Sequence, residues 1–233
     1  TDFNANCDAV AALCSWNKTK AWLGVQLQAC EWKNCPSLTD DDIKIARNSW
    51  FAAESSAETK YGHISNWRVS DVSTMSYMFD SAKNAANDYG DQTSFNQNIG
   101  GWNTAKVKAM ISMFSGGTAF DQDIGSWNTA AVTDMSLMFG WASVFNQNIG
   151  GWNTAKVKAM LSMFHAAKAF NQSSIGSWDT DSLALEEAQW GSGMFNSATD
   201  FNANCDAVAA LCSWNKDKAW LGVELQACEW CPT

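Results

Sequence analysis

Proline is almost missing from this chain, with 2 among 233 residues, and histidine is equally rare at 2. So little proline excludes a polyproline or linker-dominated chain. A composition 46% hydrophobic and 17% charged excludes disorder as the main state. Basic residues are scarce as well: 15 Lys and Arg stand against 24 Asp and Glu, for a formal net charge of -9. Reading nucleic acid requires clustered Lys and Arg against the phosphates, so nucleic acid is not expected as a partner. No apolar run approaches the roughly 18 residues that cross a bilayer, and no charged n-region with an apolar h-region opens the sequence. No membrane insertion is therefore expected in this segment, and any leader or anchor would lie outside it.

Catalytic signatures are missing too. There is no HExxH, phosphate loop, dinucleotide fingerprint or GxSxG elbow, and His63 and His165 stand far apart. The adjacent Glu186 and Glu187 would point in different directions on a helix and read as a solvated face rather than an acid and base. The expectation is a protein that is not an enzyme, with no catalytic residue, metal or cofactor.

What the chain has in excess is aromatic rings and cysteine: 14 Trp, 12 Phe and 8 Cys. The tryptophans repeat. Trp67, Trp102, Trp127, Trp152 and Trp178 mark units that close with Met78-Phe79, Met113-Phe114, Met138-Phe139, Met163-Phe164 and Met194-Phe195. The period is roughly 25 residues, with long insertions only in the first and last intervals. Such units are too small to bury themselves, so Trp and Met-Phe are expected to form ladders inside a stack. Within a unit, Ile99, Trp102, Val107, Met110, Met113 and Phe114 pass from extended spacing to steps of three and four, which predicts a strand followed by a helical turn or two. Ser70, Thr104, Thr129 and Thr154 precede the Val-x-x-Met stretch and are expected to cap that helix. An Asn/Asp ladder is expected at Asn96, Asp121, Asn146 and Asn171, where side-chain amides at a turn satisfy the backbone of the adjacent coil.

Segments such as FNQNIGGWNTAKVKAMISMF and FDQDIGSWNTAAVTDMSLMF, preceded by YGHISNWRVSDVSTMSYMF, resemble the repeats of the BspA-like leucine-rich-repeat surface proteins over roughly residues 39–204. The resemblance implies a secreted or surface-exposed protein with adhesive or structural roles and no shared catalytic residues. Together with the repeat pattern it leads to the expected fold: an α/β leucine-rich-repeat-like solenoid of about five 25-residue coils, wound right-handed. The Cys-rich blocks fall outside the family pattern.

A longer period overlies the short one. Residues 1–32 and 199–230 differ only at Thr19 against Asp217 and Gln26 against Glu224. Residues 1–6 match the close of a repeat, so the chain is expected to be one period, plus overlap, of a tandem array of near-identical units. A complete domain with similar caps at both ends is the alternative. The expected organisation is a repeat tail at 1–6, a Cys-rich helical junction at 7–38, the solenoid at 39–204 and a second Cys-rich junction at 205–233. Thr39 with Asp40, Asp41 and Asp42 predicts a capping helix over 39–53, the acidic triplet complementing the helix dipole rather than binding calcium. Residues 181–189 are helix-prone and are expected to cover the far edge of the stack.

The cysteines fall into two sets, Cys7, Cys14, Cys30, Cys35 and Cys205, Cys212, Cys228, Cys231. Even numbers in short blocks favour disulfides, and six residues between Cys7 and Cys14 is too long for a zinc knuckle. On a helix, Cys7 and Cys14 would share a face about 10 Å apart, too far to bridge each other. Each would reach Cys30 or Cys35 on a second helical stretch, with Cys7 to Cys30 preferred, tying a helical hairpin. Trp16, Trp141, Trp190 and Trp214 lie outside the repeated Trp position; they are the candidates for an exposed binding surface, with packing at the junctions the preferred expectation. Asn17 and Asn171 head N-glycosylation sequons, with Asn171 in conflict with its ladder role and Asn17 the better acceptor. The expected function is a structural building block of an extracellular filament or cell-surface appendage. Its partners would be copies of itself head to tail and covalently attached glycans; the alternative is an adhesin binding a host protein or glycan.

Overall fold

A computed structural model of the chain describes residues 37–81, 92–184 and 193–214. Each repeat forms one turn of a stack, running from an isoleucine through tryptophan to a closing pair of phenylalanines. The third turn, for example, buries Ile124, Trp127, Val132, Met135, Met138, Phe139 and Phe145. The predicted ladder residues Trp67, Trp102, Trp127, Trp152, Trp178, Phe79, Phe114, Phe139, Phe164 and Phe195 are all buried in one continuous core. Phe114, Phe139 and Phe164 follow one another at 5.7 and 5.6 Å between ring centroids. Within a turn the two phenylalanines lie face to face, Phe114 on Phe120 at 3.9 Å and Phe139 on Phe145 at 4.0 Å.

The expected α/β leucine-rich-repeat-like solenoid is overturned. Among the described residues there is no strand and no sheet; β-type pairing between adjacent turns is confined to isolated parallel bridges, Thr74 to Ala109, Ala109 to Asp134 and Asp134 to Ala159. The α-helices whose full extent lies among the described residues flank the regular repeats: α1 (Asp40–Ala52), α2 (Glu54–Tyr61), α3 (Thr199–Ala203) and α4 (Cys205–Ala210). The reason is backbone conformation. Tyr77, Ser112, Leu137 and Ser162 have positive φ, as do Gly116, Trp141, Ala166 and Ser197 a few residues further on. Each such residue turns the chain out of extended geometry before a ladder can lengthen. Nor do the buried threonines cap helices: Thr104, Thr129 and Thr154 donate their hydroxyls to the carbonyls of Asn128, Asn153 and Asp179 in the next turn.

Buried amides are nevertheless satisfied between turns. After the bridge the donors point forward, Met135 to Ala159, Leu137 to Leu161, Phe139 to Met163 and Trp141 to His165; before it they point back, Thr133 to Lys108 and Lys158 to Thr133. The indoles of the second to fifth turns donate as well, whereas that of Trp214 has no partner among the described residues. Trp102, Trp127, Trp152 and Trp178 give their Nε1–H to the carbonyls of Ile64, Ile99, Ile124 and Ile149 in the preceding turn, at 3.0–3.1 Å. Close approach explains the glycine after Ile99, Ile124 and Ile149: a Cβ on Gly125 would lie 2.5 Å from the carbonyl oxygen of Asn148.

Among the described residues no turn precedes the first one, and α1 packs there. A capping box between Thr39 and Asp42 starts this helix. Asp40 then accepts from the backbone N–H of Ser73 and Thr74 and from the Ser73 hydroxyl, and Arg47 donates to the carbonyls of Tyr77 and Met78. Trp50 packs edge-on against Trp67. At the far end, the stack runs past the residue at which the second Cys-rich junction was expected to begin. Phe201 stacks on Phe170 and Phe195, and Trp214 stacks on Trp178 at 6.1 Å. Leu211 to Trp214 therefore repeats the spacing of Ile175 to Trp178. Residues 181–184 form a turn, and the rest of the predicted edge helix lies outside the described residues.

Two predictions follow from the ladder and its cap. Trp127→Ala should cost about 3 to 5 kcal/mol by cavity formation. Trp127→Phe, which keeps a ring but strands the Ile99 carbonyl, should cost about 1 to 3 kcal/mol, both read by denaturant unfolding. For Asp40, burial raises the carboxyl's pKa, but hydrogen bonds from Ser73 and Thr74, with Lys44 nearby, outweigh it and hold the group below its ordinary 3.8. Its contribution is thus fully present above pH 3.8 and is lost as pH falls through the lower folded value. Asp40→Ala should lower stability by about 1 to 2 kcal/mol at neutral pH, and the two proteins should converge in acid.

Candidate functional site

Three surfaces of the stack carry chemistry that packing alone does not require. The first centres on Trp141. Its register position is Gly116 in the preceding turn and Ala166 and Ser197 in the following ones, all with positive φ. A glycine meets that conformation without penalty, whereas a bulky aromatic there is strained. Trp141 is also 47% exposed, unlike the repeated tryptophans. Its ring stands edge-on to His165 at 4.7 Å, and its backbone N–H donates to the His165 carbonyl. Two pairs back along the same paired backbone, the Leu137 N–H donates to Leu161, which is 40% exposed. Trp141 and His165 thus form an aromatic patch across two turns. Burial lowers the pKa of His165, and its Nδ1 is buried without a partner.

The second surface is the asparagine ladder. Asn96, Asp121 and Asn146 each accept through Oδ1 from the backbone N–H one turn on, at Asp121, Asn146 and Asn171. Gln122, Gln147 and Gln172 donate through Nε2 to the same oxygens. Asx turns at Asn98, Asp123 and Asn148 make the adjoining corner, each accepting from the glycine N–H two residues later. At the end of the ladder Asn171 accepts from Asn204 Nδ2. The third surface is an open depression of about 470 Å³ beside this last rung, lined by Asn171, Asp200, Asn204, Cys205 and Asp206 among others.

The cysteines are placed only in part. Cys205 and Cys212 are disulfide-bonded, and no free cysteine occurs among the described residues. Cys7, Cys14, Cys30, Cys35, Cys228 and Cys231 lie outside the described residues, as do Asn17, Trp16 and Trp190. Of the four tryptophans considered for an exposed surface, Trp141 is exposed, while Trp214 is buried at 3% in the ladder. The leucine three residues before Trp214 was the signal that it belongs to the repeat. Among the described residues no group of three or more His, Cys, Asp or Glu is placed to hold a metal, and no helix is long and apolar enough to cross a membrane.

The sequence model of one family, described as "Mycoplasma protein of unknown function, DUF285", matches residues 48–127 and 84–208. The matched residues make up more than half of the chain, which belongs to that family. No curated protein and no solved structure matches it.

Trp141→Gly should leave stability unchanged or raise it by up to about 1 kcal/mol, because lost contacts are offset by release of backbone strain. Thermal unfolding beside Trp127→Ala checks this: comparable losses from the two substitutions would place Trp141 among the core residues instead.

Proposed function

We propose that this member of the DUF285 family is a structural building block of an extracellular filament or cell-surface appendage, made of near-identical units that follow one another head to tail. One observation carries the reading. Residues 199–214 supply the last described turn of the stack, with Phe201 and Trp214 in the ring ladders, and residues 1–16 are identical to them. The chain therefore carries the sequence of that last described turn twice, once before α1 and once after it. A second copy has a use if it completes the stack of a preceding unit. Repetition of that contact is heterologous, and a heterologous contact whose rotation does not close gives a fibre. Disulfide-bonded Cys205 and Cys212 fit an oxidising, extracellular setting. The stacked rings distribute stability over nearest neighbours, which suits a load-bearing element.

A second reading, a surface adhesin, is favoured by the patch at Trp141, where an exposed aromatic is held at a cost in backbone strain. It takes a host protein or glycan as ligand.

Electron microscopy of the native material, with helical analysis, distinguishes them. Units continuing into one another along a filament are expected; discrete particles carrying a single stack would remove the filament reading. Binding of the isolated chain to a glycan array or matrix proteins, abolished by Trp141→Gly, would put the adhesin first.

A further inference from the structure

We infer that Asn171 is an N-glycosylation site whose carbohydrate leaves the asparagine ladder intact. On sequence alone the two roles collide, because Asn171 heads the sequon Asn171-Gln172-Ser173 and also belongs to the ladder. The hydrogen bonds separate them. Asn204 Oδ1 accepts from the backbone N–H of Asp206 and Ala207, which fixes Asn204 Nδ2 as a donor. Its bond to Asn171 at 2.7 Å therefore falls on an acceptor, and the Asn171 amide has one orientation, Oδ1 into the ladder. Nδ2 makes no hydrogen bond among the described residues and is absent from their buried, unpartnered polar atoms, so it faces solvent. A glycosylated asparagine keeps its carbonyl, and the ladder uses nothing else of this side chain.

The rest of the site is in place. Ser173 is exposed and its hydroxyl makes no hydrogen bond among the described residues, whereas the corresponding residues of the other rungs are Asn98, Asp123 and Asn148, none with a hydroxyl. This rung is thus the one in the described ladder that meets the acceptor rule. The depression beside Asn171 gives the first sugar room, and Asp200 and Asp206 on its rim offer acceptors for sugar hydroxyl and N-acetyl N–H groups. The disulfide-bonded Cys205 and Cys212 fit a chain matured in the oxidising compartment where this chemistry occurs.

The donor class is a polyprenyl-diphosphate-linked oligosaccharide. Nδ2 attacks the anomeric C1, an N–C1 bond forms, the C1–O bond to the diphosphate breaks with its electron pair leaving on the diphosphate, and one Nδ2 proton is lost to solvent. Nothing is oxidised or reduced. The inference is independent of whether units assemble into filaments.

The test is secretion of the full chain from a glycosylating eukaryotic host, behind a cleavable leader and with a tag whose own sequon is used in that host. Amidase release in heavy-oxygen water, followed by peptide mass mapping, should place a labelled aspartate at Asn171. The modification should vanish in Ser173→Ala and return in Ser173→Thr. The glycosylated protein should melt within about 2 °C of the Ser173→Ala protein, since less than about 1 kcal/mol is at stake. An unmodified Asn171 beside a modified tag would overturn the assignment. A modified Asn171 with melting lowered well beyond that margin would overturn the claim that glycan and ladder coexist.

Discussion

The indole N–H is the constraint on which this stack rests. A tryptophan buried to a few per cent must find an acceptor for its one donor, or lose much of what burial of its ring contributes. For Trp102, Trp127, Trp152 and Trp178 the acceptor is in the preceding turn, the isoleucine carbonyl three residues before that turn's own tryptophan; Trp67 uses the Gly62 carbonyl, and the Trp214 indole has no partner among the described residues. Slipping a turn by one residue would break this bond and the ring stacking together. The same contact draws the backbones so near that the residue after the isoleucine has no room for a Cβ, as at Gly125 against Asn148. Register, spacing and the glycine are therefore one requirement seen from three sides.

Much of the core was legible because its spacing is literal. Trp67, Trp102, Trp127, Trp152 and Trp178 and the Met-Phe pairs could be read off the chain, and all lie inside. The backbone path between them could not. Positive φ falls on Tyr77, Ser112, Leu137 and Ser162, residue types that give no sign of left-handed geometry, so a segment with strand-like spacing folds instead as successive turns. The buried threonines misled for a related reason. A hydroxyl ahead of an apolar run signals a helix cap, but with no helix to cap it finds the next turn's carbonyl. Trp214 was assigned to a separate junction because the cysteines around it outweighed the simpler fact that Leu211 precedes it by three.

The exposed features were legible only as candidates. Trp141 and Trp214 both fall outside the 25-residue Trp period, yet one is 47% exposed and the other 3%. Their difference is one of register: Trp141 occupies a position where other turns carry glycine, alanine or serine, and Trp214 one where they carry tryptophan. Asn171 shows the same limit at atomic scale. A sequon and a ladder position look exclusive when the side chain counts as one unit, and become compatible once Oδ1 and Nδ2 are assigned separately.

The two ends of the stack are closed by different chemistry, which bears on any larger assembly. At the first turn, Asp40 and Arg47 of α1 supply the acceptor and donors that a preceding turn would have supplied. At the other end the position after the leucine, glycine at Gly100, Gly125, Gly150 and Gly176, is Cys212, which is disulfide-bonded. The first turn alone has another residue there, Ser65, within a 3-10 turn. A turn laid on Cys212 as closely as Asn148 lies on Gly125 would meet its Cβ and its sulfur. Units of this kind joined in series would be discrete stacks, each opened by an α1 helix and closed by a cysteine-bearing turn, and the stiffness of such a series would be decided at the junctions rather than within the coils.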